Sequence, residues 1–246
     1  MRGEKLALDN VSLRIAPGEH VAILGPNGSG KSTFIKMVTR EVYPLLREGS
    51  SMTILGRNRW NVFELRPLLG VVTNDQVAAC TRDITATEVV LAAFHSAIEL
   101  MPYHTVTDEM RRKTEEHFRV LEITHLANRL MTEMSSGEVH RVGIARALVH
   151  DPRALLLDEP SNSLDLRAQR ELRGIVRKLA QSGIGIILVT HYLADIIPEI
   201  ARVILLREGS VIADGHKDDV LRSERLRGLF GMPVELLGRD GYYHLL

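Results

Sequence analysis

"VAILGPNGSGKST", residues 21–33, decides how the rest of the chain is read. Val21 to Leu24 is an unbroken apolar run, the pattern of a strand covered on both faces. Gly25, Pro26, Asn27, Gly28, Ser29, Gly30, Lys31, Ser32 and Thr33 then fit G-x-x-x-x-G-K-[ST], and Lys31 to Thr39 continues with helical period. Strand, glycine-rich turn and helix in that order make a cradle for phosphate. The glycines let the backbone curl so that several N–H groups point inward. The helix start adds partial positive charge. Lys31 is placed to reach the β- and γ-phosphates, and Ser32 offers a hydroxyl to Mg²⁺. A glycine-rich turn that only starts a helix is the plainer alternative. The strand before it and the helix after it argue against that.

Outward from this point, strands and helices alternate. Val11 to Ile15, Met52 to Leu55, Leu69 to Thr73, Ala154 to Leu157 and Ile186 to Thr190 read as strands. Val203 to Leu206 and Ser210 to Asp214 read as a hairpin through "REGS". Helices are expected at Val139 to His150 and Leu166 to Ser182. Between them "TATEVVLAAFHSAIEL" (85–100) and "TDEMRRKTEEHFRVLEITHLANRL" (107–130) are helical by period, with caps at Thr85 and at Thr107 or Asp108. This alternation implies an α/β fold with a mostly parallel sheet and an inserted helical block. A short helix and a small hairpin close the chain.

Two further stretches carry chemistry. "ALLLDEP" (154–160) is a buried strand followed by two carboxylates, Asp158 and Glu159, at the edge where parallel sheets bind ligands. Asp158 suits a Mg²⁺ ion and Glu159 an attacking water. Read alone, the pair could equally cap the next helix. "MSSGE" (134–138) is spaced as a capping box, Ser135 to Glu138. A well-capped helix is therefore a sufficient reading of it. Yet Ser136 and Gly137 leave that helix start open to an incoming anion.

These motifs, in this order, resemble the ATP-binding-cassette (ABC) ATPases over nearly the whole chain. "MSSGE" resembles that family's signature, "SNSLD" (161–165) its D-loop, and "LVTHY" (188–192) places His191 at its switch histidine. The resemblance implies a P-loop NTPase core with a mostly parallel sheet, an antiparallel β subdomain at the N-terminal side and an inserted helical subdomain. It implies one nucleotide-binding domain over 1–246, with the helical part at about 77–150 and a C-terminal helix and hairpin at about 217–246. It implies ATP and Mg²⁺ as cofactors, and hydrolysis of ATP to ADP and phosphate. Glu159 would be the catalytic base, and His191 would hold the γ-phosphate. Ser135 and Gly137 would touch the nucleotide of a second copy. Asp165 would link the two sites of an ATP-induced, head-to-tail homodimer or paired cassette. Ser32, Asp158 and Gln76 would hold Mg²⁺, with Asn74 as the other candidate for the Q-loop residue. Where the family places an aromatic residue on adenine, counting back from Lys31 gives Arg2, whose guanidinium plane can stack on a base.

Bulk properties limit the alternatives. The chain has 246 residues, 45% hydrophobic and 25% charged, as expected of a globular domain with a real core. Lysine plus arginine equals aspartate plus glutamate at 31 each, so the net charge gives no strong nucleic-acid signal. The single cysteine, Cys80, excludes an internal disulfide. The ten histidines are scattered, without metal-ligand spacing. No run approaches the roughly 20 apolar residues that span a bilayer. A separate transmembrane permease is thus the implied partner. The implied location is cytoplasmic, peripheral on the inner face of the membrane. A soluble ABC-type ATPase acting on a protein or nucleic-acid machine is the alternative. A phosphate-loop kinase would have no use for "MSSGE" or "SNSLD".

Overall fold

The computed structural model describes residues 6–45 and 47–245. Arg2, at the position where the family places an aromatic residue on adenine, lies outside the described residues. In chain order the elements begin with β1 (His20–Leu24), α1 (Lys31–Val38), α2 (Val62–Leu65), β2 (Leu69–Val72) and α3 (Asn74–Cys80). Next come α4 (Ala86–Ala93), α5 (Asp108–Val120), α6 (Ser136–Leu148), β3 (Ala154–Asp158), α7 (Leu166–Gln181) and β4 (Gly185–Thr190). The chain closes with β5 (Arg202–Arg207), β6 (Ser210–His216), α8 (Lys217–Val220), α9 (Ser223–Phe230), β7 (Leu236–Arg239) and β8 (Tyr242–Leu245). These elements fall into two compact units, Met1–Arg66 with Gly185–Leu246, and Pro67–Ile184.

In the first unit β1 is paired in parallel with β4 on one side and β5 on the other. β1 therefore has no free edge, and Val21, Ala22 and Leu24, whose side chains alternate between its two faces, are fully buried. That is why the run carries no polar alternation. The register sets Leu24 beside Thr190, so β1 and β4 end at the same edge. β6 folds back antiparallel on β5. The β7–β8 hairpin is tied to α8 by Tyr243 Oη, which donates to Asp218 Oδ1 at 2.6 Å.

In the second unit β2 and β3 pair in parallel. α7 is amphipathic: Leu172, Ile175, Val176 and Leu179 recur at helical spacing and are all buried. Asp165 caps it by accepting from Ala168 N at 2.8 Å. α4 is buried nearly all round, through Ala86, Val89, Val90, Leu91, Ala92 and Ala93, and Thr85 with Glu88 forms its capping box.

The fold class is the expected one, and several elements differ in extent. Val11–Ile15 joins no ladder, and of Met52–Leu55 only an isolated Ile54–Arg57 bridge forms. Carbonyls in that stretch are taken by side chains instead. Trp60 Nε1 donates to Ile54 O at 2.7 Å, and Arg40 Nη2 to Asn58 O at 3.1 Å. Among the described residues the antiparallel pairing is thus mainly C-terminal, in β5–β6 and β7–β8, rather than on the N-terminal side. The two long helical stretches also stop early. After α4, Ser96 takes φ 54 and Ala97 N bonds back to Ala92 O. After α5, Glu122 takes φ 59 and Ile123 N bonds back to Phe118 O. Both are left-handed C-terminal caps built without glycine.

Two histidines of the second unit make stability depend on pH. Burial pushes His117 on α5 below the usual imidazole range, against the opposing pull of Asp151 and Glu116. Burial does the same to His140 on α6, against its bond to the Ser136 carbonyl. A group depressed in the folded state contributes fully above the unfolded value, about 6.5, and its contribution is lost as pH falls. The limit is about 1.4 kcal/mol per pH unit per group, less for His117, whose part-exposed ring is screened by water. The urea midpoint is expected to fall between pH 7.5 and 5.5, and His117→Leu to flatten that fall. An identical slope in the variant would remove His117 from the account.

Candidate functional site

The phosphate loop hangs between β1 and α1. Gly25 N donates to Thr190 O at 3.3 Å, which fixes the loop entry against β4. Lys31 is 5% exposed, with Nζ donating to Gly25 O at 2.7 Å and Pro26 O at 3.1 Å. The ammonium thus lies inside the curl of the loop. Gly30 is the N-cap of α1, with φ 109 and no side-chain cap. The helix starts at α3, α4, α5, α6 and α7 are each closed by a serine, threonine or aspartate oxygen. α1 has no such side-chain cap, and an uncapped helix start is where phosphate binds best. Asn27, Gly28 and Ser32 are exposed on this loop, Pro26 and Thr33 half-buried, and Ser29 buried. A cavity of about 240 Å³ adjoins it, lined by Asn27, Gly28, Arg207 and Phe230 among others.

His191 follows the last residue of β4, so the register that aligns Leu24 with Thr190 brings it to the loop's edge. Its ring leans on Tyr192, centroids 3.8 Å apart. The turn beneath is knit by Thr190 Oγ1, which donates to Asp195 Oδ2 at 2.8 Å and accepts from Tyr192 N at 3.0 Å. The structure therefore unites the phosphate loop and His191.

In the second unit Asp158 ends β3, and Glu159 follows with φ 46. A long side chain in left-handed backbone is uncommon and costs energy. Asn162 N donates to Glu159 O at 3.0 Å and fastens the turn.

The signature segment is a working cap as well as a candidate site. Ser135 Oγ accepts from Glu138 N at 3.4 Å, while Glu138 Oε2 takes bonds from Ser135 N and Oγ, both at 2.8 Å. Burial pushes the Glu138 carboxyl up. The two Ser135 bonds, with Arg129 and Arg141, outweigh it and hold the carboxyl below its usual range. Gly137 has a packing reason to be glycine, since a Cβ there would lie 2.8 Å from Ala168 Cβ. Ser135, Gly137, Arg141 and Asp165 line one cavity of about 210 Å³. Signature and D-loop thus meet in one place.

The Q-loop candidates sit on α3, a helix that the expected loop did not include. Its signal was present: Thr73 and Gln76 have capping-box spacing, and Thr73 Oγ1 accepts from Gln76 N at 3.2 Å. Gln76 is exposed. Asn74 is half-buried and reaches His140, a residue that carried no motif.

Comparison with known proteins agrees with this reading. Residues 8–162 match the ABC transporter family. The glucose import ATP-binding protein GlcV of Saccharolobus solfataricus is 32% identical, over 97% of this chain and 67% of that one. The hemin import ATP-binding protein HmuV of Photobacterium damselae subsp. damselae is 32% identical, over 96% of this chain and 87% of that one. Among solved structures, a dimeric cassette in a post-hydrolysis state bound to ADP and Pi superposes with TM-score 0.69 at 28% identity, covering 88% of this chain and 94% of that one. The chain belongs to the ABC transporter ATP-binding family. It has the P-loop NTPase fold, it hydrolyses ATP to ADP and phosphate, and it is the ATPase subunit of an ABC transporter.

Proposed function

We propose that the chain drives import through a separate membrane permease, with a metal chelate of the hemin class as the cargo to test first. The relatives named for hemin import support that class, and the one named for glucose import supplies the comparison cargo. Among the described residues no helix is long and apolar enough to cross a membrane. The working unit is a head-to-tail pair at the cytoplasmic face of the membrane. The phosphate loop, Gly25 to Thr33, holds the triphosphate of one copy, and Ser135 and Gly137 of the second copy close on its γ-phosphate. The observation that carries this reading is the contrast between helix starts: α1 lacks a side-chain cap where every motif-bearing helix of the second unit has one.

Glu159 takes a proton from water, whose oxygen forms a bond to the γ-phosphorus. The bond from that phosphorus to the β-bridging oxygen breaks, and ADP keeps the electron pair. His191 holds the γ-phosphoryl oxygens in line. Lys31 releases its loop carbonyls and pairs with the phosphates. The hydroxyl of Ser32, the carboxylate of Asp158 and the amide of Gln76 are hard oxygen donors and suit Mg²⁺. When bound, that ion offsets charge on the β- and γ-oxygens.

Reconstitution with an import permease in proteoliposomes tests the proposal. ATP hydrolysis and hemin uptake are expected to rise together, at least about tenfold over the chain alone, a small part of what positioning can supply. Equal turnover with and without every permease tried, and no ATP-dependent uptake of hemin or glucose, would overturn it.

A further inference from the structure

His140 sits at the start of α6 and is 8% exposed. Its Nδ1 is 2.8 Å from the carbonyl oxygen of Ser136. A carbonyl only accepts, so Nδ1 carries the proton and donates. The Nε2 of the same neutral ring is then an acceptor, and the atom placed 3.3 Å from it is Asn74 Oδ1, also an acceptor. An amide turned by half a revolution offers its NH₂ to that acceptor. One buried ring therefore touches the first residue of α3 and the first residue of α6. Farther along, the same helices approach closely through apolar groups: a Cβ on Gly143 would lie 3.1 Å from Val77 Cγ2. The contact has an apolar pivot at one end and a polar tie at the other.

We propose that His140 is a positioning residue that locks the start of α3 to the start of α6, so that movement of Asn74 is passed to the turn that meets the second copy's nucleotide. This rests on the head-to-tail reading above. Ser136 and Gly137 form that turn, and α3 directly follows β2. With the ring in place, Ser136 cannot shift without carrying Asn74 with it. Without the ring, the two starts are joined only through the pivot, and the signature turn no longer answers to α3.

The test uses the full chain carrying Asn74→Ala, His140→Leu, both together, and His140→Gln, whose amide keeps one donor and one acceptor. Each is made in the native background for turnover and in the Glu159→Gln background for dimerisation by light scattering. Either single change is expected to raise the ATP concentration for half-dimerisation, and to lower kcat, by about tenfold, a typical coupling between sites. The affinity of the monomer for a fluorescent ATP analogue is expected to stay constant. The double variant is expected to be no worse than the more impaired single, and His140→Gln to recover most of the loss. Fold-changes that multiply in the double variant, or His140→Gln as impaired as His140→Leu, would overturn the proposal. If His140→Leu does not melt cooperatively, Asn74→Ala and His140→Gln decide it: normal dimerisation and kcat in Asn74→Ala would overturn it. If the Glu159→Gln parent stays monomeric in ATP, the head-to-tail reading fails, and non-additivity in kcat alone judges the tie.

Discussion

Glu159→Gln is expected to bind ATP as the native chain does, to hydrolyse it about 100- to 10,000-fold more slowly, and to accumulate as a dimer in Mg-ATP. The magnitude is that of removing a positioned general base. Glutamine keeps the length and shape of the side chain, so the turn held by Asn162 N on Glu159 O has no reason to change. The phosphate loop belongs to the other unit and keeps its own hydrogen bonds. Binding therefore survives while proton transfer does not. In the proposed cycle hydrolysis reopens the pair, so a chain that binds without hydrolysing is expected to stay closed. Light scattering and phosphate release check the two halves separately. A variant that stays monomeric in saturating Mg-ATP would remove the head-to-tail arrangement. Residual turnover near the native rate would remove Glu159 as the base.

Gly30→Ala is expected to disable the phosphate loop. At φ 109 the backbone lies beyond the left-handed well that an alanine tolerates. A Cβ would also lie 2.6 Å from Ala7 O and 2.7 Å from Leu8 Cδ2. The first of these is backbone and cannot rotate away. Strain and overpacking together cost about 1–3 kcal/mol of stability. Re-aiming even two N–H groups away from a charged phosphate costs about 1.5–3 kcal/mol each, so ATP affinity falls about 100-fold or more. Gly174→Ala on α7 is the control, since nothing lies within 4 Å of its Cβ. It is expected to be neutral or to stabilise by up to about 1 kcal/mol. Melting curves and analogue binding measure both. Native affinity in Gly30→Ala would mean that the loop does not grip phosphate through this curl.

The most legible parts of the sequence were those in which local chemistry and burial agree. β1 announced itself because its side chains are buried on both faces, and α7 because its cap and its apolar stripe coincide from Asp165 to Leu179. The phosphate loop and signature were legible as spacing alone. Helix ends were not. Ser96 and Glu122 take the left-handed position usually given to glycine, so nothing in the composition marks the stop. The N-terminal strands failed for the opposite reason: alternation was present, but among the described residues no partner strand was, and side chains such as Trp60 and Arg40 took carbonyls. The His140–Asn74 tie was out of reach because its partners are 66 positions apart and, while Asn74 is a Q-loop candidate, His140 carries no motif.

The backbone at Glu159, with φ 46, carries one more consequence. Glycine or asparagine would sit there more comfortably, by about 1 kcal/mol or more, because neither pays the full clash of a long side chain in that conformation. The residue that makes the molecule sturdiest is thus not the one proposed as the base. Durability and turnover pull natural selection in opposite directions at this one position. A duplicated copy kept only as scaffolding would shed its glutamate early.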